Sequence, residues 1–170
     1  MSILILGVGN ILLSDEGIGV RVVEAFEKRY AVPEDVEIVD GGTAGMDLLD
    51  VIEYRDHVIV VDAVKTGRPP GTVVRLTGDD VQGFFRTKIS PHQLGLSEVL
   101  AALSLLDASP GGVTIIGVEP LDFSTSLDLS PTIAAKLDAM VEMVAEDLTA
   151  LGRPAERRSR ALSSTTTRWP

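Results

Sequence analysis

The chain has 170 residues, 45% of them hydrophobic, a formal net charge of −10 and no cysteine. This suffices for one domain with a sizeable core, and the missing cysteine excludes disulfides, thiolate metal ligands and a thiol nucleophile. The acidic balance excludes general nucleic-acid binding, which needs a basic face to displace counterions. No apolar run is long enough to span a membrane and no basic, apolar leader is visible, so a cytoplasmic location is expected, with no membrane partner.

In chain order, residues 3–6 (Ile-Leu-Ile-Leu) are continuously apolar, as expected of a strand covered on both faces in a parallel sheet. Gly7 and Gly9 let the backbone turn at its carboxyl end. Ser14 or Asp15 then caps a helix whose inward face carries Ile18, Val22, Ala25 and Phe26. A second strand is expected over 36–39, ending at Asp40 and the turn Gly41, Gly42, Thr43, with a helix following through Leu48, Leu49 and Ile52. Residues 57–62 (HVIVVD) form the clearest buried strand and end on a carboxylate. The connection over 67–71 (GRPPG) is too short for a helical crossover, so residues 72–76 are expected to form an antiparallel edge strand.

Residues 78–89 read as a polar loop with a Phe84–Phe85 pair. Ser90, Pro91, His92 and Gln93 open a helix with Leu96, Val99, Leu100, Leu103 and Leu106 at its apolar positions. Residues 113–118 supply the last strand, and Pro131 starts a closing helix bearing Ile133, Leu137, Val141, Val144 and Leu148. The pattern predicts one α/β domain over 1–152, three layers around a twisted five-stranded mixed sheet with its first and third strands adjacent. Residues 153–170 carry five arginines against one acid, so the body before them holds a net −14. This segment lacks periodicity and reads as a disordered extension. No apolar stripe is left unassigned, which points to a monomer.

The first turn of chemistry-bearing residues is unusual. A dinucleotide fingerprint fails, because Gly7 and Gly9 fit but Leu12 stands where its third glycine belongs. Asp15 and Glu16 also lie where a pyrophosphate would need unopposed N–H groups. Favourable placement on a helix dipole is the plainer reading of these carboxylates. Gly17 and Gly19 weaken it, since each costs about 1 kcal/mol inside a helix relative to alanine and implies a close approach to the backbone. By topology Glu16, Asp62 and His92 converge at the carboxyl edge of the sheet, where open α/β folds bind ligands. Two oxygens and an imidazole can hold a borderline divalent metal, although His92 and Asp62 can equally act as helix or turn caps. His57 begins a strand at the far edge and is a poor candidate.

The blocks GVGNILLSDEGIG, DGGTAG (40–45), VIVVDAV (58–64), SPHQLGL (90–96) and IGVEP (116–120) resemble, in order and spacing, the hydrogenase maturation endopeptidases. The resemblance covers residues 1–151 and leaves the arginine-bearing tail outside. It implies a twisted five-stranded sheet between helices and an enzyme that removes a short carboxyl-terminal peptide from the precursor of the nickel–iron hydrogenase large subunit, after nickel insertion. The family's metal-contacting residues fall on Glu16, Asp62 and His92, which become the expected metal and catalytic residues. Nickel is expected to be presented by the substrate, and zinc or cadmium to be able to occupy the same site in a crystal. Asp15, Asp40, Gly41, Gly42 and Thr43 are expected to line the substrate cleft. The rival readings are a non-catalytic, nickel-dependent chaperone of the precursor and a phosphate- or nucleotide-binding α/β enzyme.

Overall fold

A computed structural model describes residues 1–86 and 91–159, the side chains of 86 and 91–94 excepted. Five strands form the main sheet: β1 (Ile3–Val8), β3 (Val36–Gly42), β4 (His57–Ala63), β5 (Val73–Thr77) and β6 (Val113–Val118). Their order is β3-β1-β4-β6-β5, parallel throughout except for β5, which runs antiparallel to β6 at the edge. The expected neighbours β1 and β4 are paired, Leu6 lying opposite Val60. The edge strand is set by its short connection: Gly71 N–H donates to the Glu119 carbonyl and Glu119 N–H to that of Thr72, which turns the chain straight back along β6.

Two apolar clusters lie on the two faces of the sheet, and β1 feeds both because successive side chains of a strand point to opposite sides. Ile3 and Ile5 join α1 (Ile18–Arg29), through Ile18, Val22 and Phe26, and α6 (Leu137–Ala150), through Met140, Val141 and Val144. Leu4 and Leu6 join α2 (Leu49–Ile52), α3 (Asp79–Arg86) and α4 (Pro91–Leu105), through Ile52, Val81, Phe84, Leu96 and Val99. Each of these fully covered side chains contributes on the order of 1.5–3 kcal/mol. Among the described residues no helix is long and apolar enough to cross a membrane.

Several elements depart from expectation. Residues 79–86 form helix α3 and not a polar loop: Val81, Phe84 and Phe85 recur at helical spacing, with Val81 and Phe84 buried against β5 and β6. Strand β3 continues through Asp40 to Gly42, with a register shift that sets Asp40 opposite Gly7 and Gly42 opposite Val8. The closing helix is broken into α5 (Pro131–Ala134) and α6.

The tail boundary also moves. Residues 153–159 are folded onto the body, and β7 (Glu156–Arg157) pairs antiparallel with β2 (Tyr30–Ala31) to make a second, two-stranded sheet. The acidic body attracts its arginines: Arg153 Nε lies 2.6 Å from Asp35, and Arg157 2.7 Å from Glu142. Arg153 accordingly holds the Asp35 carboxyl below its ordinary pKa. Arg158 donates from its backbone to the Arg29 carbonyl and from Nε to the carbonyls of Glu27 and Tyr30. The remaining stretch of the expected disordered segment, 160–170, lies outside the described residues.

Candidate functional site

The carboxyl edge is built by close backbone packing. After β1 the chain turns at Gly9, whose φ of +129° favours glycine, and a Cβ there would stand 1.9 Å from the Glu16 carbonyl oxygen. A 3-10 turn, Ser14–Gly17, then leads directly into α1. Neither Ser14 nor Asp15 caps that helix; Gly17 holds the cap position and no side chain bonds to it. A Cβ on Gly19 would lie 2.1 Å from the Val61 carbonyl oxygen and 2.4 Å from that of Val8. The close approach implied by the first-turn glycine is thus made by the sheet itself, whose β1 and β4 ends touch the helix start. This contact sets the turn that carries Glu16 against the end of β4, the strand that carries Asp62.

Glu16 is half-buried in the 3-10 turn, and Asp62, near the end of β4, is only 1% exposed. Strand β3 brings Asp40 to the same edge, exposed and pairing with its own turn: Oδ1 accepts from Gly42 N–H at 2.9 Å. Gly41 is buried against Leu6, Gly42 has a φ of +49°, and Thr43 is exposed. Helix α4 reaches this edge too, since a Cβ on its Gly95 would meet Gly45 Cα at 3.1 Å. His92 occupies the first turn of α4, and its side chain lies outside the described residues. Among the described residues no three His, Cys, Asp or Glu side chains are grouped to hold a metal.

Asp15 is not a cleft residue. It is fully buried, and its carboxylate is consumed by the loop that follows β6. Oδ2 accepts from Leu121 N–H (3.0 Å), Asp122 N–H (2.8 Å) and Ser130 Oγ (2.8 Å), and Oδ1 from Ser130 N–H (2.7 Å). A second buried carboxylate, Glu119, fastens the neighbouring loop: it accepts from Thr66 N–H and Oγ1, both at 2.8 Å, and from Gly67 N–H at 3.3 Å. The two loops meet where Lys65 Nζ sits 4.0 Å from the centre of the Phe123 ring. Residue reasoning missed both fasteners. The only local signal was a carboxylate directly after an apolar strand at Glu119, and for Asp15 its place between Ser14 and Glu16.

A groove of about 730 Å³ opens at the opposite, amino edge, lined by His57, Val81, Phe85, Leu100 and Thr114 among others. His57 Nε2 lies 2.8 Å from Thr114 Oγ1, and burial lowers its pKa below the ordinary 6.5. The groove lies away from Glu16 and Asp62, in keeping with the exclusion of His57 from the site.

A family model for hydrogenase maturation protease (HycI) matches residues 20–147. The chain is 50% identical over 145 residues to the hydrogenase 2 maturation protease of Escherichia coli (strain K12), spanning 85% of this chain and 88% of that one. It is 40% identical over 163 residues to the hydrogenase expression/formation protein HupD of Bradyrhizobium diazoefficiens, spanning 95% and 85%. Among solved structures, the E. coli hydrogenase maturating endopeptidase HybD superposes with a TM-score of 0.91 at 48% identity, over 95% of this chain and all of that one (100%).

Proposed function

This chain belongs to the hydrogenase maturation protease family, and from that membership we propose that it removes the carboxyl-terminal extension of a nickel–iron hydrogenase large-subunit precursor once nickel has been inserted. The observation that supports the reading is the Gly9 and Gly19 packing, which sets the turn bearing Glu16 against the end of β4, the strand bearing Asp62. Carboxylate oxygens and the imidazole of His92, without a thiolate, suit a borderline divalent ion such as nickel. Nickel enters as part of the substrate, and when seated it supplies Lewis-acid polarisation of the scissile carbonyl or activation of a water.

The residues of this chain orient and select. Glu16, Asp62 and His92 add binding free energy that a nickel-free precursor cannot supply, with about 1.4 kcal/mol corresponding to each tenfold of preference. The exposed Asp40 and Thr43 flank the same edge, where an extended substrate tail would pass.

Purified enzyme incubated with nickel-loaded and nickel-free precursor, read by mass spectrometry for loss of the carboxyl-terminal peptide, tests the reading. Cleavage should require the nickel-loaded form, and Glu16→Gln and His92→Ala should abolish it while leaving the fold intact. Efficient, chelator-sensitive cleavage of nickel-free precursor by enzyme that copurifies with stoichiometric zinc would overturn it.

A further inference from the structure

Four large apolar side chains stand exposed on the two loops that carry and embrace the Glu16 turn: Leu12 (56%), Leu121 (52%), Phe123 (38%) and Leu127 (60%). Their backbones are fastened together. Ser126 N–H donates to the Leu12 carbonyl and Ser14 N–H to that of Ser126, both at 2.9 Å, making a parallel bridge between Leu13 and Ser126. Ser14 Oγ donates to the Asp128 carbonyl at 2.8 Å, and Arg21 Nη2 to that of Leu127 at 3.0 Å. The buried Asp15 carboxylate binds Leu121, Asp122 and Ser130 from beneath. An apolar surface held out by an ordered loop, costing little further ordering on association, is the arrangement of a docking site.

We propose that Leu12, Leu121, Phe123 and Leu127 form a docking surface for an apolar segment of the precursor next to its cleavage junction. The proposal rests on the proteolytic reading above, which also names the occupant: a protein whose scissile bond reaches Glu16 must cover the loops from which Glu16 projects. The surface adds affinity for the precursor whether or not it carries nickel, whereas Glu16, Asp62 and His92 add the nickel-dependent part of binding and carry cleavage. Leu105 (89% exposed) and Leu106 (63%), at the opposite end of α4, are equally apolar and exposed but lie at the amino edge, and serve as the control.

The test compares wild type, Leu121→Ser/Leu127→Ser and Leu105→Ser/Leu106→Ser full-length chains, measuring kcat and KM on nickel-loaded precursor, precursor affinity by titration, and thermal melting. The loop variant should raise KM and weaken affinity by about tenfold or more, with kcat and melting little changed, and the control should match wild type. Unchanged KM and affinity in the loop variant, an equal effect in the control, or a loss confined to kcat would overturn the docking surface. Failure of wild type to cleave would instead overturn the proteolytic reading, and the titration would then decide the surface by itself.

Discussion

Replacing Asp15 by alanine should be among the most damaging single changes outside the apolar core. The carboxylate accepts four hydrogen bonds, three from backbone N–H groups and one from a hydroxyl, all within a fully buried setting. Bonds to a charged acceptor contribute roughly 1.5–3 kcal/mol each and do not add, while donors stranded without a partner keep their desolvation cost. A loss of about 3–5 kcal/mol is therefore expected for Asp15→Ala. Asparagine separates oxygen count from packing. Three of the four bonds converge on Oδ2, so an amide that places its oxygen there forfeits only the Ser130 N–H bond, and Asp15→Asn should cost about 1–3 kcal/mol. Urea unfolding reads this directly. With a slope of about 2 kcal/mol per molar, the alanine midpoint should fall by about 2 M and the asparagine midpoint by about half as much or less. Equal shifts for the two variants, or an alanine variant within about 1 kcal/mol of wild type, would refute the view that this carboxylate latches the loop after β6.

Two further outcomes follow from particular residues. Gly42→Val should cost about 1–2 kcal/mol because the φ of +49° opposes a branched side chain, although space is open around it, and Gly42→Asn should be nearly neutral; equal melting temperatures for the two variants would contradict the backbone account. His57, with its pKa lowered by burial, should make the fold sensitive to acid. Below the ordinary 6.5 the unfolded chain takes up a proton that the folded chain resists, so this contribution is whole above that value and is lost as pH falls through it. Unfolding free energies at about pH 7.5 and 5.5 should show a larger drop in wild type than in His57→Gln; a drop of the same size in both would count against it.

The central strands were legible because β1 and β4 are buried on both faces and therefore read as unbroken apolar runs. The edge strand was legible because the Pro-Pro connection admits no crossover. Helix α3 was hidden by Asp79, Asp80 and Gly83, which mimic a loop until the burial of Val81 and Phe84 is known. Asp15 looked like a cleft carboxylate because its partners lie 106 to 115 residues further along the chain. Arg153 and Arg157 looked like a solvated tail because their partners, Asp35 118 residues back and Glu142 15 residues back on another element, form no local pattern with them.

The division of the core into two clusters separated by the sheet bears on when such an enzyme becomes dangerous to its neighbours. Glu16 belongs to the turn that heads α1 in one layer, Asp62 to the sheet, and His92 to α4 in the other layer. On the roles proposed for these residues, a chain that has shed either helical layer would separate one member from the other two and should lose cleavage. Cutting power would then belong to the finished molecule alone, with none in half-made or half-unfolded copies.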